Sequence, residues 1–287
     1  MSTPTLRGAT TPTSPDELVD HAAVTARIRE YVVDMCAGPE GGHLGGAMSL
    51  VEILTALYFN VMRVDPGLPA SPRRDLLVLS KGHGGIALYA TLCAVGFFPR
   101  ECLAGYGRPG SPFMAHPHPE IPGVEMPSGS LGHGLALGVG LALATRLDGT
   151  DRRCFVVMGD GELQEGSVWE AAAVAAHQRL DNLVAVIDRN KLQITGETES
   201  VASLEPLADR WRAFGWRVQE VDGHDIEALT RALGGPAEPD RPTVVIAHTV
   251  KGKGLPFVEG RTHSHYARLG ERQHRRALNA LRREEQR

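Results

Sequence analysis

The chain contains no CxxC pair, no HExxH and no Cys/His cluster of the kind that holds zinc, so neither a redox motif nor a transition-metal site is written into it. Its four cysteines, Cys36, Cys93, Cys102 and Cys154, fit reduced thiols in a cytoplasmic protein better than a disulfide framework. Long apolar runs are missing as well. The most apolar stretch, Leu135–Ala144, is short and Gly/Ala-rich, which suits a closely packed helix and excludes a membrane span. The opening MSTPTLRGATTPTSP lacks the apolar core of a secretion signal, and residues 1–14 read as a disordered leader. Positive charge is not in excess: the net charge is −4 and no basic face stands out, which argues against a nucleic-acid partner. There is no internal repeat.

What remains is a chain of 287 residues with 42% hydrophobic composition, enough for a substantial core in one large or two small domains. Ser14-Pro15-Asp16-Glu17 reads as a helix start, with a capping Ser, Pro in the first turn and acids near the positive end; that helix is expected to run to about Cys36 and stop at Gly38-Pro39. Residues 40–48 read as a Gly-rich loop, and helices are expected over 49–62, from Gly85 to Val95, over 130–147, near 204–214 and near 225–233. Strands are expected at 76–79, 155–158, 183–187, 217–221 and 243–248. Residues 96–128, rich in Pro and Gly, read as one long ordered loop, a length usually reserved for functional segments. Alternating strands and helices predict a doubly wound, mostly parallel α/β sheet with helices on both faces. One unit is expected over 15–270, followed by a charged amphipathic helix over 271–287.

The stretch 155–196, FVVMGDGELQEGSVWEAAAVAAHQRLDNLVAVIDRNKLQITG, is the most informative part of the chain. A strand ends at Gly159-Asp160-Gly161, an Ala-rich helix follows, and a second strand ends at Asp188-Arg189-Asn190. In a parallel sheet those two carboxyl ends lie side by side, the usual place for a ligand. The Asp160 carboxylate and the Asn190 amide suit a hard divalent cation such as Mg²⁺, which keeps phosphate and water in the rest of its shell. Gly159 and Gly161 let the backbone approach a phosphate, and the helix N-terminus beyond favours an anion. A diphosphate held through Mg²⁺ is the chemistry implied.

The chain has 12 histidines, and most lie in Gly- or Pro-rich loops. His43 stands in GGHLGG, His83 in SKGHGG, His116 and His118 in AHPHPE, His133 in GSLGHG, and His263 and His265 in RTHSHY, while His248 ends a strand. Loops of this kind can converge above the strand ends of a doubly wound sheet, where imidazoles donate to phosphate and hydroxyl oxygens and move protons. His21, His177 and His274 read as structural or exposed.

GDG followed about thirty residues later by Asn resembles the thiamine diphosphate motif, and GDGELQEG…DRNKLQITG resembles the transketolase family, as do GGHLGGAMS, LSKGHGGIALYA and AHPHPEIPGVEMPSGSLGHG. The resemblance covers most of 15–270 and implies the thiamin diphosphate-binding fold. It implies Asp160, Asn190 and the carbonyl of Leu192 as ligands of Mg²⁺, for which Ca²⁺ or Mn²⁺ can substitute. It implies His83, Gly129, Leu131, Gly159, Gly161, Glu162 and Lys251 as contacts of thiamine diphosphate, with a surface role for Lys251 as the alternative. His43 and His116 are expected to orient substrate, with His118 able to replace His116. His83 and either His263 or His265 are expected to do acid–base work. Glu165 is expected at a subunit interface, communicating with the partner's catalytic centre, and His133 stands where the family often has Gln. The implied activity is transfer of a two-carbon ketol unit from a ketose or its phosphate to an aldose acceptor. The family's pyrimidine-binding domain, which supplies a glutamate to the aminopyrimidine, has no counterpart after residue 270. A separately encoded subunit carrying it, in an α₂β₂ assembly with helices 130–147 and 167–177 at the interface, is therefore the expectation. Arg100, Arg108 and Arg261 lie in or near the loops as candidates for a sugar phosphate. A subunit of another thiamine diphosphate enzyme (a 2-oxoacid dehydrogenase or a 1-deoxyxylulose-5-phosphate synthase-like protein) and a non-catalytic cofactor-binding subunit stand as alternatives, against which the intact loops argue.

Overall fold

A computed structural model of the chain describes residues 19–285. The leader expected over 1–14 and the helix start expected at Ser14 lie outside the described residues. The first helix, α1 (His21–Cys36), begins instead behind Asp20, whose side chain accepts the Ala23 amide at 3.0 Å and so satisfies one of the free donors of the first turn.

The strands are β1 (Leu76–Leu79), β2 (Cys154–Gly159), β3 (Leu183–Arg189), β4 (Arg217–Asp222) and β5 (Thr243–His248). They form a five-stranded sheet in the order β1-β2-β3-β5-β4, every pair parallel. β1, β2 and β3 are buried throughout, as near-continuous apolar runs in a parallel sheet require, whereas β4 is a half-exposed edge. Successive residues point to opposite faces and feed two separate cores. Leu77, Leu79, Phe155, Val157, Val184 and Val186 pack with α1, α2 (Leu44–Met48), α3 (Val51–Ala56), α4 (Gly85–Val95), α9 (Ile226–Gly234) and α10 (Glu271–Glu285). Leu76, Val78, Val156, Met158, Ala185 and Ile187 pack with α5 (Gly134–Leu147), α6 (Gly166–His177) and α8 (Leu207–Ala213). The remaining helix, α7 (Thr198–Val201), is a single turn. The terminal helix α10 is amphipathic as expected, and its Ala277 and Leu281 enter the same core as α1.

Three local expectations shift for physical reasons. The segment 40–48 is not all loop: Leu44–Met48 coils into a short buried helix because its Gly and Ala side chains permit close packing, and His43 sits at its N-terminus. The helix expected over 49–62 is α-helical only to Ala56 and then widens over Leu57–Val61 into a π-type turn. The helix expected over 130–147 starts at Gly134, since Gly129 and Gly132 take positive φ in the turn before it. No described helix is long and apolar enough to cross a membrane.

Candidate cofactor and catalytic site

The carboxyl ends of β2 and β3 are in register, Gly159 opposite Asp188, so Asp160 and Asn190 emerge as neighbours. Asp160 is buried. Its Oδ2 accepts the Lys191 amide at 2.5 Å and the Arg189 guanidinium at 3.1 Å, and its Oδ1 accepts the Gly161 amide at 2.8 Å. Burial, with the nearby Asp188 charge, pushes its carboxyl above the usual range, opposed by those donors. Asn190 gives its amide N–H to Asp188 Oδ2 at 3.2 Å, which leaves Oδ1 as the outward oxygen, accepting the Leu192 amide at 3.1 Å. The Leu192 carbonyl accepts the Lys251 ammonium at 3.0 Å, so this oxygen already answers to positive charge. A carboxylate, an amide oxygen and a carbonyl, each with acceptor capacity left over, fit a hard divalent cation. Among the described residues no group of three or more His, Cys, Asp or Glu side chains comes together as a metal nest, so a cation held here relies on the amide and carbonyl oxygens.

Behind this cradle lie charges that the motifs alone did not single out. Lys81, in the loop after β1, reaches Asp188 Oδ2 at 2.5 Å and the Gly46 carbonyl at 3.3 Å. Asp188 also accepts Ser49 Oγ at 2.7 Å and the Thr249 hydroxyl. Burial alone would raise the Asp188 carboxyl; the Lys81 charge and these donors hold it below the ordinary range. On the other side Glu162 accepts the Gly132 amide at 2.9 Å, the Gly159 amide at 3.1 Å and the Ser80 hydroxyl, and burial raises its carboxyl. Arg189 is buried and bound to Asp160, Thr198, Glu199 and Glu205. The signal for Lys81, Asp188 and Arg189 was present: each lies within two residues of a residue already named.

The histidine loops do converge. His43 lies 5.5 Å from His83, 6.1 Å from His116 and 5.3 Å from His265, ring centre to ring centre, and His83 lies 5.3 Å from His265. The Tyr266 ring closes edge-on over His43 at 4.9 Å. His43 Nδ1 is buried without a hydrogen-bond partner among the described residues. Burial, reinforced by His116, Lys81 and Lys251, lowers His43 to about 4. Burial and the Lys251 charge lower His265 to about 4, and burial with Lys81 drives His83 well below its ordinary value. Lys251 is 2% exposed, its ammonium also 3.1 Å from His265 Nδ1, and burial with Lys81 lowers it to about 8. The surface reading of Lys251 is thereby excluded.

The open choices resolve by position. His116 joins the cluster, and a Cβ on Gly129, whose φ is +145°, would meet its ring at 3.2 Å. His118 stands at the surface beside Glu120. His265 joins the cluster; the side chain of His263 lies outside what is described. His133 is exposed at the start of α5, its Nδ1 3.2 Å from the Leu131 carbonyl, and is not part of the histidine group. Leu131 is 36% exposed, and Glu165, exposed ahead of α6, packs under Gly132. Arg100 pairs with Glu30 and Asp34 and, with Arg108, lines a separate cavity of about 520 Å³ against α1. Arg261 is exposed. All four cysteines are buried free thiols.

A parallel sheet whose adjacent strand ends present an oxygen cradle, ringed by histidine loops, defines a site for an anionic cofactor carried by a divalent cation. The family described as transketolase, thiamine diphosphate binding domain, matches residues 19–285. The first of the two subunits of the apulose-4-phosphate transketolase of Phocaeicola vulgatus is 48% identical over 81% of this chain and 83% of its own length. The 6-deoxy-6-sulfo-D-fructose transketolase subunit of a Clostridium species is 45% identical over 85% and 89%. Among solved structures, the transketolase of Pichia stipitis in complex with sedoheptulose-7-phosphate superposes with a TM-score of 0.85 at 32% identity, over 91% of this chain and 40% of that one. The transketolase of Leishmania mexicana superposes equally, at 0.85 and 31%, over 94% and 42%. The chain thus spans about two fifths of those single-chain enzymes and most of the length of the relatives named as subunits. It belongs to the transketolase family, as a transketolase-type subunit built on the thiamine diphosphate-binding domain.

Proposed function

We propose that this chain is the diphosphate-binding subunit of a two-component transketolase. The observation that carries the proposal is the meeting of His43, His83, His116 and His265 beside the Asp160, Asn190 and Leu192 oxygens. In this reading residues 15–270 form the cofactor-binding unit and α10 braces it. Asp160, Asn190 and the Leu192 carbonyl hold Mg²⁺, with Ca²⁺ or Mn²⁺ able to stand in. His83, Gly129, Leu131, Gly159, Gly161, Glu162 and Lys251 line the cofactor. Thiamine diphosphate, when bound, supplies the carbon centre at which a carbon–carbon bond of a ketose is broken and remade.

The chain's own residues do the rest. His43 and His116 hydrogen-bond the hydroxyls of the sugar and orient it. His83 and His265 hold or take up a proton at those hydroxyls. In the folded chain His43 and His265 are neutral because burial and the lysine charges disfavour the imidazolium. An anionic ligand against Lys81 and Lys251 cancels part of that field and moves both rings toward the pH at which imidazole serves as acid and base.

A separate subunit with the pyrimidine-binding part completes the site in an α₂β₂ assembly. The reading is supported by relatives that are themselves named as subunits and act, by name, on apulose-4-phosphate or sulfofructose; sugars or sugar phosphates are the substrate class. It is supported too by the outer face of α5 and α6, where Ala136, Gly140, Ala144, Ala173 and Val174 are exposed and Leu147 is 87% exposed, a surface suited to burial. Glu165 stands at the head of α6, where such a contact would reach it. The buried free thiols fit the reducing cytoplasm.

The test is calorimetric titration of thiamine diphosphate and Mg²⁺ into the chain, alone and mixed with a candidate partner, followed by a two-carbon transfer assay. Weak binding alone, with tight binding and turnover in the mixture, is the expected result. Tight binding with no turnover under any pairing would instead indicate a cofactor-binding subunit without catalytic function.

A further inference from the structure

The turn that leaves β5 carries Lys251, and four tethers hold it. Thr249 gives its hydroxyl to Asp188. The Val250 amide donates to His224 Nε2 at 2.8 Å. The Gly252 amide donates to the Gly45 carbonyl at 2.9 Å, beside His43. The Lys253 carbonyl accepts Arg29 Nε at 3.4 Å. His224 lies outside the cluster of site histidines, in the turn after the edge strand β4. Its ring reaches across to α3, where Nδ1 stands 2.9 Å from Glu52 Oε2. Glu52 Oε1 takes the Arg29 guanidinium at 2.5 Å, and both residues of this pair are buried.

This geometry permits one tautomer. Burial alone would raise the Glu52 carboxyl, but Arg29 and His224 together hold it below the ordinary range, so it is an acceptor only. His224 Nδ1 must therefore carry the hydrogen. The Val250 N–H is a donor, so Nε2 must be bare. Gly223 brings the two turns into direct apposition: its amide donates to the His248 carbonyl at 2.8 Å, and a Cβ there would lie 2.4 Å from Thr249 Cγ2.

We propose that His224 is a positioning residue, fixed in its Nδ1–H form by the buried Arg29–Glu52 pair, whose Nε2 sets the 249–253 turn and so the place of the Lys251 ammonium beside Leu192 and His265. The consequence for cofactor binding rests on the role given to Lys251 above; the positioning itself does not.

The first measurement is made on the unaltered full chain, by ¹⁵N NMR of its histidines. A bare Nε2 and a protonated Nδ1 for His224 are expected; the opposite tautomer overturns the proposal without any variant. The second is hydrogen exchange resolved at Val250 in the full chain. His224→Leu is expected to speed exchange of that amide roughly tenfold or more while β2 and β3 stay protected, and His224→Gln, whose side-chain oxygen can reach toward Val250, is expected to restore part of the protection. Unchanged exchange at Val250 in His224→Leu, or an increase spread evenly over the sheet, overturns it. Titration of Mg²⁺ and thiamine diphosphate then separates the two claims. Weakened binding in both His224→Leu and Lys251→Met supports both. If Val250 is freed but neither variant alters binding, the positioning stands and the role of Lys251 falls.

Discussion

Lys81 Nζ lies 2.5 Å from Asp188 Oδ2, and both side chains are buried, at 1% and 0% exposure. Lys81 follows β1 and Asp188 ends β3, with β2 between them, so the lysine chain crosses the end of the middle strand at ordinary contact distance from Gly159. The pair spans the floor of the cofactor site and fixes three strand ends relative to one another. Asp188 in turn holds the Asn190 amide, so the pair also determines which atom of Asn190 is offered outward.

Breaking this pair from one side leaves a charge buried without its partner. Lys81→Met is expected to destabilise the chain by ~3–5 kcal/mol. Adding Asp188→Asn to that variant, which removes the stranded charge and keeps acceptors for Ser49 and Thr249, is expected to return part of the loss. Urea unfolding of the two variants checks this; equal stability of the single and double variants would contradict it.

Asp160 and Asn190 are expected to be indispensable for cation-dependent cofactor binding. Loss of an outer partner of a metal ligand typically costs ~10–100-fold in affinity, and loss of the ligand itself more. Asp160→Asn and Asn190→Ala should each weaken Mg²⁺-dependent binding of thiamine diphosphate by at least that factor in calorimetry. Circular dichroism should report an unchanged fold for Asn190→Ala.

The histidines divide by position. With a competent partner present, His83→Ala or His265→Ala should lower turnover by ~10²–10⁴. His118→Ala, changed at the surface two residues from His116, should leave turnover close to that of the unaltered chain. A comparable loss in His118→Ala would reverse the assignment of His116.

Acid should weaken the fold through His43 and His265. Both are lowered from 6.5 to about 4 in the folded chain. Between those values the unfolded chain binds protons that the folded chain refuses, so stability falls as the pH falls through that window. The urea midpoint should therefore drop between about pH 7 and about pH 5, and the drop should shrink in a His43→Asn, His265→Asn double variant.

Gly134 is a packing requirement. A Cβ there would lie 2.2 Å from Ser80 Oγ and 2.3 Å from Ser80 Cβ. Gly134→Ala is expected to cost ~1–3 kcal/mol by overpacking and to loosen the Ser80–Glu162 contact that ties the 128–134 turn to the end of β2. Thermal unfolding measures the first effect.

Much of this was legible in the chain. Apolar runs bounded by Gly and Asp marked all five strands, because a strand buried on both faces has nothing polar to interrupt it. GDG and DRN marked the cradle because a phosphate-binding turn and an oxygen ligand each demand a particular residue type locally. Lys81, Asp188 and His224 were not legible, since a lysine, an aspartate and a histidine in loops look alike whether solvated or buried. The helix start at Asp20 was missed because Ser14-Pro15 offers the same capping chemistry a few residues earlier, and local propensity does not choose between the two.

The sequence by itself determined the alternation of strands and helices, the small residues at the strand ends and the oxygen ligands after β2 and β3, because each is enforced by neighbours within a few residues. Tertiary structure decided which histidines meet. His43, His83, His116 and His265 come from four separate loops, and only the strand order β1-β2-β3-β5-β4 brings them within 5.3–6.1 Å of one another. It also decided the charge of the site, for burial among Lys81, Lys251 and one another lowers His43 and His265 to about 4, a property that belongs to their surroundings and to no residue alone.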